Sequence, residues 1–247
     1  EIAKEYIDEE KGVARVLPIL KSKIDIKKYK DINTICLCCT HFKLIKKQIN
    51  GPITQDNLKK ITSLEINNQL TNSDLSDLKY LTDLSSLYIY DNTIDMEDIK
   101  YNQNLMLISL TNCTISNTKY LPNSIESIYI DDSNITDQAA VMPYYAKNIY
   151  LRKSTVSNLR LKNQLSLEKL YITSGVNLDM NNIKGCINLK ELTILMVSNI
   201  KNANILKYLP SLNSINIDEY AAIWLDPDTL QSLPLSQEDK NILGDLI

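Results

Sequence analysis

From Ile61 onward one arrangement of apolar and polar positions keeps returning: apolar-x-x-apolar-x-apolar, then a polar position three residues on, then a further apolar residue. It reads Ile61, Leu64, Ile66, then Leu84, Leu87, Ile89, Asn92, Ile94, then Leu105, Ile108, Leu110, Cys113, Ile115. It continues as Ile125, Ile128, Ile130, Ser133, Ile135, as Ala146, Ile149, Leu151, Ser154, Val156, and as Leu167, Leu170, Ile172. Leu189, Leu192, Ile194, Val197, Ile200 and Leu212, Ile215, Ile217 complete the series. With the second apolar residue as marker, the copies fall at 64, 87, 108, 128, 149, 170, 192 and 215, in steps of 20 to 23 residues.

An apolar-x-apolar pair is a short strand whose alternate side chains point to opposite faces. A step of this length is that of short leucine-rich repeats, each of which buries its apolar face only by stacking on its neighbours. The predicted architecture is therefore an α/β repeat: a leucine-rich-repeat solenoid with a curved parallel sheet on the concave side. Leu78, Leu81, Leu121, Leu206 and Leu209 anchor the second half of the coils, in segments too short for full helices and expected as 3-10 or single-turn pieces on the convex side. The polar position turns the chain out of the strand. Asn92 is the regular residue there, and Cys113, Ser133 and Ser154 take its place with similar turn hydrogen bonds.

The stretch Ile53-Thr-Gln-Asp-Asn-Leu-Lys-Lys-Ile-Thr-Ser-Leu-Glu-Ile66, followed by Asp77-Leu-Lys-Tyr-Leu-Thr-Asp-Leu84, resembles the repeats of bacterial internalin-like proteins. The resemblance extends over roughly residues 53 to 217 and departs from the pattern where coils lack the Asn and where Tyr144-Tyr145 replaces a leucine. It implies an N-terminal helical cap whose end leads into the first strand, and the departure from the template after residue 220 reads as a helical C-terminal cap. The expected organisation is an N-terminal helical cap over 1–31, a first repeat with a helical insertion over 32–60, leucine-rich repeats over 61–220 and a C-terminal cap over 221–247. Ile2, Tyr6, Val13 and Val16 supply apolar positions to the first cap; Trp224, Leu230, Leu235, Ile242 and Leu243 supply them to the last.

Composition narrows the function classes. Charge is nearly balanced, 27 Lys plus Arg against 30 Asp plus Glu, so no general phosphate-binding surface and no nucleic-acid partner is expected. No apolar run reaches the length of a membrane span, which excludes membrane insertion of this chain. The chain begins at Glu1 without a signal-peptide pattern, which reads as a processed chain or a fragment. The Asn, Ile and Lys bias points to an AT-rich genome.

The outward residues of the strands line the concave face. Between the two apolar strand markers the central column runs Glu65, Tyr88, Ser109, Tyr129, Tyr150, Tyr171, Thr193, Asn216. Neighbouring columns add Tyr90, Asp131, Arg152, Lys169, Thr173, Glu191 and Asp218. Coils stack roughly 5 Å apart, so Tyr129, Tyr150 and Tyr171 form a ladder about 10 Å long. Tyrosine combines a large contact area, little rotamer entropy and a polar tip, which suits recognition. It is also favoured in strands for packing alone. With 14 Tyr against one Phe and one Trp, the aromatic residues here keep a polar handle. The candidate binding residues are Tyr88, Tyr90, Tyr129, Asp131, Tyr150, Arg152, Lys169 and Tyr171.

A rival site is the segment Asn33-Thr-Ile-Cys-Leu-Cys-Cys-Thr-His-Phe42. Cys39, Thr40 and His41 resemble the second cysteine motif of glutamate racemases, in which a thiolate exchanges a proton at the substrate's alpha carbon. Cys38 replaces that motif's glycine, however, and nothing supplies the partner half of such an enzyme. Cys36, Cys38, Cys39 and His41 offer thiolate and imidazole ligands for a metal as the other option, but no second Cys pair lies at zinc-finger spacing. The five cysteines, with Cys113 and Cys186, form an odd, clustered set unlike a disulfide framework and lean toward a reducing compartment. His41 is the sole imidazole, and no phosphate loop or nucleophile elbow is present.

The expectation is a module that binds a protein partner, a host protein among the options, with no cofactor, no metal and no enzymatic activity. The resemblance implies a bacterial surface or secreted protein acting in adhesion or host interaction. The alternative is an intracellular scaffold, regulator or translocated effector, and the remote one a cysteine-dependent enzyme.

Overall fold

The computed structural model describes residues 55–67, 75–161, 164–174, 178–197, 200–217 and 227–233, together with residues 237, 240, 241 and 244. The chain divides into two compact units, Glu1–Leu58 and Lys59–Ile247. The predicted cap over 1–31, the Cys36–His41 segment, Asp218, Trp224, Leu235, Ile242 and Leu243 lie outside the described residues. Of the first unit only residues 55–58, in the single-turn helix Gln55–Lys59, are described. The repeats belong to the second unit.

Eight short strands form the principal sheet of that unit: β1 (Ser63–Ile66), β2 (Ser86–Tyr90), β3 (Leu107–Thr111), β4 (Ser127–Asp131), β5 (Asn148–Arg152), β6 (Lys169–Ile172), β7 (Glu191–Ile194) and β8 (Ser214–Ile217). They lie side by side in sequence order, every neighbouring pair parallel. The register follows the apolar markers: Leu64 pairs with Leu87, and the row continues through Ile108, Ile128, Ile149, Leu170 and Leu192 to Ile215. A slip of one residue would turn every marker to solvent, so the apolar period fixes the register. The markers from Leu64 to Leu192 are buried; Ile215, in the last strand, is half-buried.

After each strand the chain must turn sharply. The second residue past the third apolar marker takes left-handed backbone: Asp91, Asn112, Asp132, Lys153 and Met196, with φ between 47° and 58°. Asp and Asn tolerate this region because a short polar side chain can hydrogen-bond locally, a property the long Lys153 side chain does not share. Lys153→Gly is therefore expected to raise stability by about 1 kcal/mol, read as a higher urea midpoint at unchanged slope. An unchanged or lower midpoint would remove left-handed strain as the reason.

The next position carries a hydrogen-bond ladder from coil to coil. Asn92 Nδ2 donates to Tyr90 O at 3.0 Å, and Cys113 Sγ donates to Thr111 O at 3.3 Å. Ser133 Oγ donates to Asp131 O at 2.7 Å and accepts from Cys113 N at 2.9 Å. Ser154 Oγ repeats this one coil on, donating to Arg152 O at 2.8 Å and accepting from Ser133 N at 3.3 Å. Cys and Ser thus do what Asn does, because all three reach the carbonyl two residues back. Ser133→Ala leaves the buried Cys113 N–H without its acceptor and is expected to cost about 1–3 kcal/mol. Thermal unfolding checks this; a loss within error of zero would mean that the ladder is dispensable.

Beyond the turn a second parallel sheet joins Thr93–Asp95, Thr114–Ser116, Asn134–Ile135 and Thr155–Val156, with Ile94, Ile115, Ile135 and Val156 inward. The return halves of the coils contain the 3-10 segments Ser76–Tyr80, Met96–Ile99, Thr118–Tyr120, Met180–Ile183 and Ala203–Tyr208. Carboxylates cap three of the turns. Asp95 and Asp179 accept from the N–H two residues on, and Asp137 of the following coil accepts from Asn117 N and Thr118 N at 2.7 Å each.

The coils after β4 and β5 depart from the expected 3-10 turns. Ala140–Val141 and Leu159–Arg160 run extended and pair in parallel. Pro143 disfavours helical backbone at the residue before it, and the Val141 N–H is taken by Thr118 Oγ1 at 3.0 Å, both of which hold this stretch open. From β2 to β8 the column three residues before each strand's first marker is buried: Leu81, Asn102, Pro122, Pro143, Gln164, Cys186 and Leu209. Its polar members reach back one coil. Asn102 Nδ2 donates to Leu78 O and Leu81 O, Gln164 Nε2 to Met142 O and Pro143 O, and Cys186 Sγ to Leu161 O.

Candidate binding face

The strand register builds the central column residue by residue. Glu65 pairs with Tyr88, Tyr88 with Ser109, Ser109 with Tyr129, Tyr129 with Tyr150, Tyr150 with Tyr171, Tyr171 with Thr193 and Thr193 with Asn216. None of these side chains is buried, because the strand alternation sends their neighbours into the core.

Three tyrosines are brought into contact. The Tyr129 and Tyr150 rings stack with centroids 4.7 Å apart and planes 9° from parallel. Tyr150 and Tyr171 follow at 5.8 Å with a 35° tilt. Tyr129, at the end of the stack, is 37% exposed, while Tyr150 and Tyr171 are half-buried. Burial, helped by the neighbouring Tyr129, raises the Tyr150 phenol above its ordinary value, so its hydroxyl remains a donor. Tyr88 and Tyr90 stand on the same face but apart from this stack, with the Ser109 coil between.

Ion pairs flank the ladder on both sides. Asp131 and Arg152, side by side on β4 and β5, form a salt bridge, and Lys169 Nζ lies 2.7 Å from Glu191 Oε1 across β6 and β7. These pairs raise the Arg152 and Lys169 values through the hydrogen bond to the partner carboxylate. Exposed pairs of this kind add little stability, because water screens them; they fix the direction of charge on the face. Thr173, expected on the surface, is instead buried, its hydroxyl accepting from Lys153 N at 2.8 Å.

The position just before each strand, which the marker template leaves unassigned, adds charge to this face. Glu126, Lys147, Glu168 and Lys190 occupy it on four successive coils and alternate in sign. Lys147 Nζ lies 3.0 Å from Glu126 and Lys190 Nζ 2.9 Å from Glu168. The hydrogen bond from Lys190 lowers the Glu168 carboxyl below its usual range. The alternation is visible in the sequence once strand starts are aligned.

Cys113 and Cys186 are free and buried, and burial raises both thiols, Cys186 to about 11. At about pH 8 neither is expected to react with a thiol reagent in the native chain, and both react on unfolding. Peptide mapping of the labelled sites reads this directly, and native labelling of Cys186 would contradict its burial. Among the described residues no group of three or more His, Cys, Asp or Glu is placed to hold a metal ion. Nor is any described helix long and apolar enough to cross a membrane.

No protein-family model matches the chain, and no curated protein matches it in sequence. In three dimensions it is similar to internalin C2 from Listeria monocytogenes str. 4b F2365, with a TM-score of 0.53 and 20% identity over 74% of this chain and 82% of that one. A second internalin (inlF) of the same strain gives a TM-score of 0.38 at 19% identity, over 82% of this chain and 83% of that one. The Arabidopsis receptor kinase HAESA, in complex with the peptide hormone IDA and the co-receptor SERK1, gives 0.41 at 14% identity, over 78% of this chain and 38% of that one. The in-register parallel sheet, the short 3-10 turns behind it and the likeness to internalin C2 together establish an internalin-like leucine-rich-repeat fold.

Proposed function

We propose that this chain is a protein-binding module, acting by recognition and not by catalysis, that holds its partner on the concave sheet. The observation that carries the reading is the stack of Tyr129, Tyr150 and Tyr171 on the solvent side of three successive strands. Rings packed on one another have already lost their rotamer freedom, so a partner meets a preformed apolar surface edged with hydroxyls. The flanking pairs Asp131–Arg152 and Lys169–Glu191, with Tyr88 and Tyr90 farther along, give the surface polar contacts of both signs. Extended concave faces are the surfaces that solenoids use for binding. The internalin-like fold favours a bacterial surface or secreted setting and a role in adhesion or host interaction.

The test is paired affinity capture from host and bacterial lysates, read by quantitative mass spectrometry. One bait is the native chain. The other carries Tyr129→Ala, Tyr150→Ala and Tyr171→Ala, after circular dichroism has established that it folds. A protein enriched by the native bait and lost with the variant is the expected result. Equal capture by both baits would overturn the concave-face reading.

A further inference from the structure

The tyrosine column is interrupted at one place. Ser109 stands between Tyr88 and Tyr129, paired with each across neighbouring strands. Adjacent strands are about 4.8 Å apart, so the two tyrosines rise roughly 10 Å from one another with only a hydroxymethyl group between them. Tyr129 stacks nearly parallel on Tyr150, which spends one face of its ring and turns the other along the column, over Ser109. No ring contact joins Tyr129 to Tyr88 among the described residues. The result is a slot one coil wide with an aromatic residue on each side.

Charge distinguishes what the slot takes. The strand segments around it, residues 62–67, 85–92, 106–112 and 126–132, contain Glu65, Asp91, Glu126, Asp131 and Asp132 and no Lys or Arg. The next three segments, 147–153, 168–173 and 190–195, reverse this, with Lys147, Arg152, Lys153, Lys169 and Lys190 against Glu168 and Glu191. Of the five acids near the slot, Glu126 and Asp131 are paired to Lys147 and Arg152 across the boundary between the two halves. Glu65, Asp91 and Asp132 form no ion pair among the described residues.

We infer that the Tyr88–Ser109–Tyr129 slot receives an arginine side chain of the protein partner. A guanidinium midway between the rings lies roughly 5 Å from each, within the range of about 6 Å over which a cation is drawn to an aromatic face. Its planar shape suits a gap bounded on two sides, whereas an ammonium stacks on neither. Glu65 beside Tyr88 in the column, with Asp91 and Asp132 on the turns that follow these strands, supplies the complementary field. This inference rests on the concave-face reading and adds the chemistry of one contact to it.

The experiment titrates the chain, labelled in its tyrosine rings, with acetyl-Gly-Arg-Gly-amide and with its citrulline, lysine and phenylalanine counterparts, followed by NMR. Signals are assigned from single Tyr→Phe variants. Expected are shifts of Tyr88 and Tyr129 with the arginine peptide and about 10-fold weaker binding of citrulline, which keeps the plane and loses the charge. Ser109→Tyr fills the slot and Tyr88→Leu removes one wall; both are expected to abolish the response, while Ser109→Ala keeps it. Equal binding of arginine and citrulline, tighter binding of phenylalanine or lysine, or the absence of shifts at Tyr88 would each overturn the inference. Ser109→Tyr leaves Tyr129, Tyr150 and Tyr171 in place. A partner lost by the triple variant but retained by Ser109→Tyr would thus preserve the concave-face reading and remove the arginine slot.

Discussion

Ile149→Ala is expected to destabilise the repeat unit by about 2–5 kcal/mol, whereas Tyr150→Ala, one residue along the same strand, is expected to cost about 1 kcal/mol. The difference is one of direction. Ile149 is 0% exposed and sits in the marker row between Ile128 and Leu170, both also buried. Truncating it removes apolar contact and leaves a void that the neighbouring coils cannot close. Their separation is set by the hydrogen bonds of β4, β5 and β6 and by the Ser133–Ser154 ladder beside them. Tyr150 points the opposite way, and its loss removes only two ring contacts in a half-solvated setting. Because each coil of a solenoid touches only its neighbours, a defect at the fifth strand weakens the unit in the middle. Urea unfolding of both variants, followed by circular dichroism, measures the contrast. A greater loss for Tyr150→Ala would mean that the ladder, and not the core, holds these coils together.

The same contrast explains what could be read from the chain alone. Strand positions, register and the whole central column follow from a period of two within each strand and a marker every 20 to 23 residues. Burial enforces both, so residue type reports them faithfully. The outward positions of Tyr129, Asp131, Tyr150, Arg152, Lys169 and Tyr171 come with the register and need no further information. What the sequence conceals depends on neighbours of another coil. Ala140–Val141 runs extended because Pro143 disfavours a helical turn and because the stretch meets Thr118 of one coil and Asn158 of the next; only the proline is written nearby in the sequence. Thr173 falls in an outward column by spacing, yet turns in to accept the Lys153 N–H, a donor 20 residues away. The left-handed backbone at Lys153 and Met196 is similarly invisible, since neither residue type favours it.

Charge shows a further layer of organisation that no single repeat contains. The acids of the first four strand segments and the bases of the following ones give the face a direction along its length. Where the two halves meet, the pairs Glu126–Lys147 and Asp131–Arg152 bracket the contact of Tyr129 with Tyr150. The aromatic stack thus begins at the sign change and runs into the basic half, through Tyr171 beside Lys169. A partner complementary to this face carries the reverse order, basic then acidic. It would be oriented by charge before its apolar contacts form, with an association rate that falls as salt rises.

Tyr150→Ala is expected to weaken binding of the captured partner by about 2 kcal/mol, roughly 30-fold, and more than Tyr88→Ala or Tyr171→Ala. Its place is the reason. Rings on both sides hold Tyr150, at 4.7 Å and 5.8 Å, so its orientation is fixed before a partner arrives. Tyr171 has a ring on one side only, with Thr193 on the other, and Tyr88 has none within the column. Removing Tyr150 also leaves Tyr129 and Tyr171 without the contact that orders them, so the loss includes reorganisation of the free face. Tyr150→Phe separates the two contributions of the side chain: it keeps the stack and removes the hydroxyl, for an expected cost of about 1 kcal/mol. Calorimetry on the native chain and the four single variants gives the order. Native-like affinity for Tyr150→Ala, with binding lost in Tyr88→Ala, would move the centre of the interface to the acidic half. Weakest binding for Tyr150→Ala, with Tyr150→Phe in between, would place it on the stack.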